Sequence, residues 1–164
     1  MQEARVLAMT YLSTLFEREK ADVIVVDGRR IYGILRIPVA SPSLLKVRRL
    51  HASSAPVPGL RVKTHDGSAT LNGDKVRDLI LWSDTAPEEI EINIIPKRKK
   101  IAEIRMWHCW RDRRDGYDIT EAWVLNDGML VEHSNNEWIL RCNSGPNAAL
   151  SFDDLIVAVH VITQ

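Results

Sequence analysis

The sequence predicts a mostly β fold: an N-terminal helix plus a small curled β-barrel over residues 1–82, followed by an antiparallel β-sandwich or barrel over residues 88–164. Three observations carry this expectation. The segment Val23-Ile24-Val25-Val26-Asp27-Gly28-Arg29-Arg30-Ile31-Tyr32 sets an Asp-Gly step between two β-branched runs. Both turn residues tolerate positive φ, which makes the step a strong hairpin signal. Beyond residue 88 the apolar residues recur with period two, as in half-buried strands. Residues 3–20 instead repeat their apolar positions every three or four residues, as an amphipathic helix does.

The elements follow in chain order. Ala4, Leu7, Ala8, Tyr11, Leu12, Leu15 and Phe16 form the apolar stripe of the helix, and no glycine or proline interrupts it. After the hairpin, Gly33 lies within the run Ile31–Ile37, where a glycine suggests a sharp bend of the kind that curls a sheet. Residues 44–52 read as a strand, and residues 53–59 as a Ser/Pro/Gly loop. Residues 60–64 and 68–72 flank a second Asp-Gly step at Asp66-Gly67, and residues 76–82 make the next strand. A weak boundary falls at residues 83–87, although the two parts could pack as one unit.

In the second part, Ile90, Ile92 and Ile94 alternate with Glu89, Glu91 and Asn93. Over 102–110, Ala102, Ile104, Met106, His108 and Trp110 share one face, while Glu103, Arg105, Trp107 and Cys109 share the other. Further strands are expected at 119–125, 129–133, 137–142 and 155–163, separated by Asn/Gly turns. The last is almost wholly apolar, which predicts a central strand buried on both faces.

Taken in order, the first 80 residues resemble the Sm-like fold, an SH3-like open barrel of five bent strands behind a helix. Residues 23–35, with the pattern Val-x-Val-x-Asp-Gly-x-x-Ile-x-Gly-x-Leu, are similar to its first hairpin motif. Asn72-Gly73-Asp74-Lys75-Val76 with Leu79 is similar to its second. Two positions depart from the family. Ile37-Pro38-Val39-Ala40 stands where an Asp-x-Φ-Asn signature is expected, and Asn72 stands where the family has arginine. The family holds RNA bases with those residues, so the resemblance implies the fold and not RNA binding. Residues 84–164 resemble no family.

Charge is unevenly placed although the net charge is zero. Residues 29–114 hold 18 Lys and Arg against 9 Asp and Glu; residues 1–28 hold three against five, and residues 115–164 one against eight. A neutral chain steers weakly toward nucleic acid, so that partner is an alternative and not the main expectation. No run of about 18 apolar residues occurs, so no membrane span is predicted. The first ten residues carry Glu3 and Arg5 and lack a secretory apolar region, which makes a cytoplasmic location the expectation.

No catalytic signature stands out. The five histidines, His51, His65, His108, His133 and His160, form no close ligand pair, and zinc sites generally show one. A cluster of His108, His133, Cys142 and His160 across neighbouring strands is conceivable, but no metal or cofactor is expected. Cys109 and Cys142 read as buried thiols. There is no Gly-x-Ser-x-Gly elbow, phosphate-binding loop or nucleotide fingerprint.

The binding candidates are two. Lys97, Arg98, Lys99 and Lys100 form the densest charge run, expected at an exposed hairpin tip after Pro96. Trp107, flanked by Glu103 and Arg105 on one strand face, is a candidate platform for a partner. The sequence therefore points to a non-catalytic binding or assembly module, homo-oligomeric or bound to another protein through sheet edges and faces. The alternatives are a nucleic-acid-binding protein using the basic middle, and an enzyme or small-ligand binder in a cleft between the two parts.

Overall fold

The computed structural model describes residues 10–164; residues 3–9 of the expected helix lie outside them. Helix α1 (Leu12–Glu19) closes at Lys20, whose φ of 49° is left-handed. Tyr11 supplies no side-chain cap. The first amides are instead satisfied from the distant loop before residue 128: Leu12 N–H donates to Asn126 Oδ1 at 3.3 Å, and Ser13 N–H to the Leu125 carbonyl at 2.9 Å. Leu12 and Leu15 bury against Ile24, Ile31 and Phe152, so the helix covers the β1–β2 end of a sheet.

The strands are β1 (Val23–Val26), β2 (Arg29–Tyr32), β3 (Leu35–Val39), β4 (Ser43–Ala52), β5 (Val57–His65), β6 (Gly67–Leu71), β7 (Asp74–Lys75), β8 (Asp78–Trp82), β9 (Glu89–Pro96), β10 (Ala102–Arg114), β11 (Tyr117–Glu121), β12 (Gly128–Ser134), β13 (Glu137–Asn143) and β14 (Leu155–Thr163). They make two antiparallel sheets. The larger runs β1-β2-β12-β13-β14-β4-β9-β6-β7. The smaller runs β11-β10-β5-β8, with β3 also paired to β10. Neither sheet closes into a barrel.

The chain passes repeatedly from one sheet to the other, and this corrects the expected Sm-like barrel over residues 1–82. Such a barrel needs the first strands to pair in sequence. Here β2 pairs with β12, β3 with β10, and β4 with β14 and β9. Both sheets thus contain strands from 1–82 and from 88–164. Gly33 lies at the first crossing, but its φ is not positive. A Cβ there would meet the Phe16 ring at 3.4 Å, so close packing under the helix explains this glycine, not a strained bend.

The two sheets share one core. Leu35 and Ile37 (β3), Leu60 and Val62 (β5), and Ile104 and Met106 (β10) face Leu45 and Val47 (β4), Ile92 and Ile94 (β9), and Val157 and Val159 (β14). Alternation in β10 follows the sequence: Ala102, Ile104, Met106, His108 and Trp110 are all buried on the inner face. β14 is central, between β13 and β4, as its composition predicts. Its outer face is buried only near Ala158, however, and His160 and Ile162 are exposed. The strand expected at 119–125 ends at Glu121. No helix among the described residues is long and apolar enough to cross a membrane.

Candidate functional site

The outer face of the five-stranded sheet carries Glu103, Arg105 and Trp107, three of the residues singled out by sequence. Register fixes its rows, because residues paired across antiparallel strands share a face. Arg36, Arg105, Lys63 and Asp78 lie in one row across β3, β10, β5 and β8. Trp107, Arg61 and Ile80 form the next row toward one end, and Glu103 lies beside His65 toward the other.

Several of these charges neutralise one another. Arg36 Nε donates to Asp22 at 2.7 Å and its Nη1 to Glu103 at 2.8 Å, while Arg105 Nε donates to the same Glu103 oxygen at 2.6 Å. The Arg105 contact, then that of Arg36, holds the Glu103 carboxyl below the usual carboxylate range. Arg61 grips Asp78 through two hydrogen bonds, at 2.9 and 2.8 Å, and lowers its pKa in turn. Arg111 pairs with Asp84 and lies 4.7 Å over the Trp82 ring.

Other cations have no such partner. The run Lys97-Arg98-Lys99-Lys100 forms the exposed β9–β10 tip, as expected. Its only ion pair among the described residues is Lys100 with Asp66, at 3.5 Å. Lys97 N–H donates to the Asp66 carbonyl at 2.9 Å, which ties the tip to the β5–β6 turn. Lys75, Arg77 and Lys97 line one groove of about 300 Å³ there. The Thr64 amide bonds the Arg77 carbonyl, so Arg77 lies beside Lys63 and His65. Burial, then Arg105, Lys63 and Arg77, pushes the His65 imidazole below the ordinary histidine range, with only Glu103 opposing. Lys75, Arg77, Lys97, Arg98 and Lys99 thus form a basic end without ion pairs among the described residues, whereas Lys63 beside them faces Asp78. The second basic group, Arg111, Arg113 and Arg114, sits at the opposite end of β10 and is paired with Asp84, Asp118, Asp112 and Glu121.

Trp107 is not the open platform that its sequence neighbours suggest. It is only 7% exposed: Trp123 lies against it with ring centroids 4.9 Å apart, and Arg61 sits 5.5 Å from its centroid. Period two places Trp107 on the outer face but carries no information about a loop folding over that face. The aromatic surface belongs to Trp123, 45% exposed, on the loop between β11 and β12. Its indole N–H donates to the Gly33 carbonyl at 2.9 Å, and its backbone N–H to Asp127 Oδ2 at 2.7 Å. Asp127 is buried, and its other oxygen lies 2.6 Å from Nδ1 of the buried His108. The sequence marks Asn126-Asp127-Gly128 only as a turn, and the neighbours it suggests for His108 are His133, Cys142 and His160, not Asp127. The one available signal was the only polar residue on an otherwise apolar β10 face.

Cys109 and Cys142 are free and buried. Burial, with Asp127 adding, pushes the Cys109 thiol up to about 12 and Cys142 well above the usual thiol range. Neither is an active nucleophile near neutral pH. Because the two parts interleave, no cleft divides them. The inter-sheet cavity lined by Leu60, Ile90 and Val157 holds about 20 Å³, room for a single water. A wider open groove of about 360 Å³ sits at the sheet mouth, beside Tyr32, Arg36 and Trp138. Among the described residues, no three His, Cys, Asp or Glu side chains converge as metal ligands. No protein-family model, curated protein or solved structure matches the chain significantly.

Proposed function

We propose that the protein is a non-catalytic binding module that engages an acidic partner through the basic end of its five-stranded sheet. One observation carries the reading. Arg36, Arg61, Arg105 and Arg111 on this face are each matched to a carboxylate, whereas Lys75, Arg77, Lys97, Arg98 and Lys99 form no ion pair among the described residues, and three of them line one groove together with Asp66. Unpaired cations concentrated at one end give a local positive field even on a neutral molecule. The test is binding of a linear polyanion, polyphosphate, as a function of salt. Affinity should fall steeply with ionic strength, and the triple change Lys97→Gln, Arg98→Gln, Lys99→Gln should reduce the slope by about two to three. A salt-independent affinity, or no binding at low salt, would defeat the proposal.

A second reading is self-association through β11. That strand is a sheet edge of five residues without proline or lysine, and Tyr117 on it is 76% exposed. Unprotected edges pair readily between copies. Light scattering should then report a dimer that Ile119→Lys dissociates; a monomer at high concentration would remove this reading.

A further inference from the structure

We infer that Trp123 is a stacking platform for an unpaired base, so that the acidic partner of the basic end is a single-stranded nucleic acid. This rests on the polyanion reading above and adds the class of ligand to it. Trp123 has a φ of +57°, a conformation that a bulky residue adopts only when its surroundings impose it. The imposing group is a buried carboxylate. Asp127 accepts the Trp123 backbone N–H at 2.7 Å and meets His108 Nδ1 at 2.6 Å. The adjoining Asn126 is pinned as well, its N–H to the Gly145 carbonyl at 3.0 Å and its carbonyl to Asn143 Nδ2 at 2.9 Å. A buried carboxylate–imidazole pair is weak evidence for stability, and here it holds the backbone of the loop. What this pair fixes is a half-exposed indole.

The chemistry of that indole narrows the ligand. Its N–H is already committed to the Gly33 carbonyl, so the ring offers a π face and no free donor. A flat heterocycle stacked on that face needs no donor from the indole. Trp107 backs the ring, Arg61 backs Trp107, and Arg105 lies two residues along the same strand face. From Trp107 to Glu103 is about 13 Å of strand, past Arg105 and Arg36 paired to Glu103, and Arg77 and the β9–β10 tip lie beyond it. A ligand that presents flat rings beside a repeating anion matches both parts. Unpaired nucleotides do so, and stacking on aromatics beside a basic track is how single strands are commonly held.

The experiment compares a fluorescein-labelled ten-residue oligothymidylate with linear polyphosphate, titrated against the full chain and three variants. Trp123→Ala should weaken oligothymidylate binding about tenfold and leave polyphosphate binding within about twofold. Trp123→Phe should restore most of the loss. Asp127→Asn, which loosens the loop without touching ligand, should weaken the oligonucleotide selectively, and the oligonucleotide alone should quench tryptophan emission. Unchanged oligothymidylate affinity in Trp123→Ala, or equal losses for both ligands, would overturn the inference while sparing the polyanion reading. Failure of both ligands to bind the unmodified protein would remove that reading too.

Discussion

Trp107 and Trp110 lie three residues apart on β10 and point to opposite faces, as period two requires, yet both are buried. Trp110 fills the inner core and also shapes the backbone around it. A Cβ on Gly145 would come within 2.4 Å of its ring, so Gly145→Ala should destabilise by about 1–3 kcal/mol. Trp110→Ala should cost about 3–5 kcal/mol in urea unfolding. Trp107→Ala should also cost more than about 2 kcal/mol, because Trp123 rests on it; an unchanged urea midpoint would contradict that packing. The histidines show what local sequence hides. His65 is held below its ordinary range, so the folded state resists its protonation. The unfolded chain takes up the proton first as pH falls below about 6.5, and stability is lost from there downward. A bound polyanion opposes Arg105, Lys63 and Arg77, so its affinity should rise over the same interval. Melting temperature and polyphosphate affinity measured from pH 7.5 to 5 would show both trends, and His65→Phe should flatten them.

At the scale of elements, identical dipeptides serve different ends. Asp27-Gly28, Asn72-Gly73 and Asp115-Gly116 each close a two-residue hairpin with φ positive at both positions: 50° and 77°, 51° and 83°, 51° and 81°. That geometry follows the strand twist and selects glycine by its backbone freedom. Gly28→Ala should therefore cost about 1 kcal/mol in thermal unfolding and leave the pairing intact. Asp66-Gly67 reads the same way in the sequence, but β5 and β6 do not pair with each other. Instead the chain crosses between sheets, and only Asp66 has a positive φ. A Cβ on Gly67 would meet the Ala102 Cβ and the Ile95 carbonyl at 2.9 Å. Gly67→Ala should cost more than Gly28→Ala, since backbone has to move; equal losses would show that the crossing is loosely packed.

At the scale of the whole molecule, interleaving decides cooperativity. β4 sits between β14 and β9, and β5 between β10 and β8. Residues 88–164 alone would expose the flanks of β9, β10 and β14, and residues 1–82 alone would leave β3 and β4 without partners and β2 with β1 only. Neither fragment should give dispersed amide resonances, and the full chain should melt in a single transition with all probes coincident. An independently folded 88–164 fragment would contradict this topology. The charge asymmetry takes on spatial meaning at the same scale. The surplus over residues 29–114 is partly spent on ion pairs across β3, β10, β5 and β8; of the cations without an ion pair among the described residues, Lys75, Arg77, Lys97, Arg98 and Lys99 lie near the β9–β10 tip, while Arg29, Arg30, Arg48 and Arg49 lie on the larger sheet.

By itself the sequence determined the β class, the alternation within β10, the hairpin at Asp27-Gly28, the exposed basic tip and the central place of β14. Each depends on periodicity or turn chemistry, which act over a few residues. Tertiary structure decided which strands are neighbours, and with that it replaced a curled front barrel by two sheets built from both parts. It also decided that Trp107 is covered, that Trp123 is the half-exposed ring above it, and that a buried Asp127 meets His108. These contacts join residues 16 to 19 positions apart across a loop. Their partners are chosen by the space left when the sheets pack, and no local pattern records that choice.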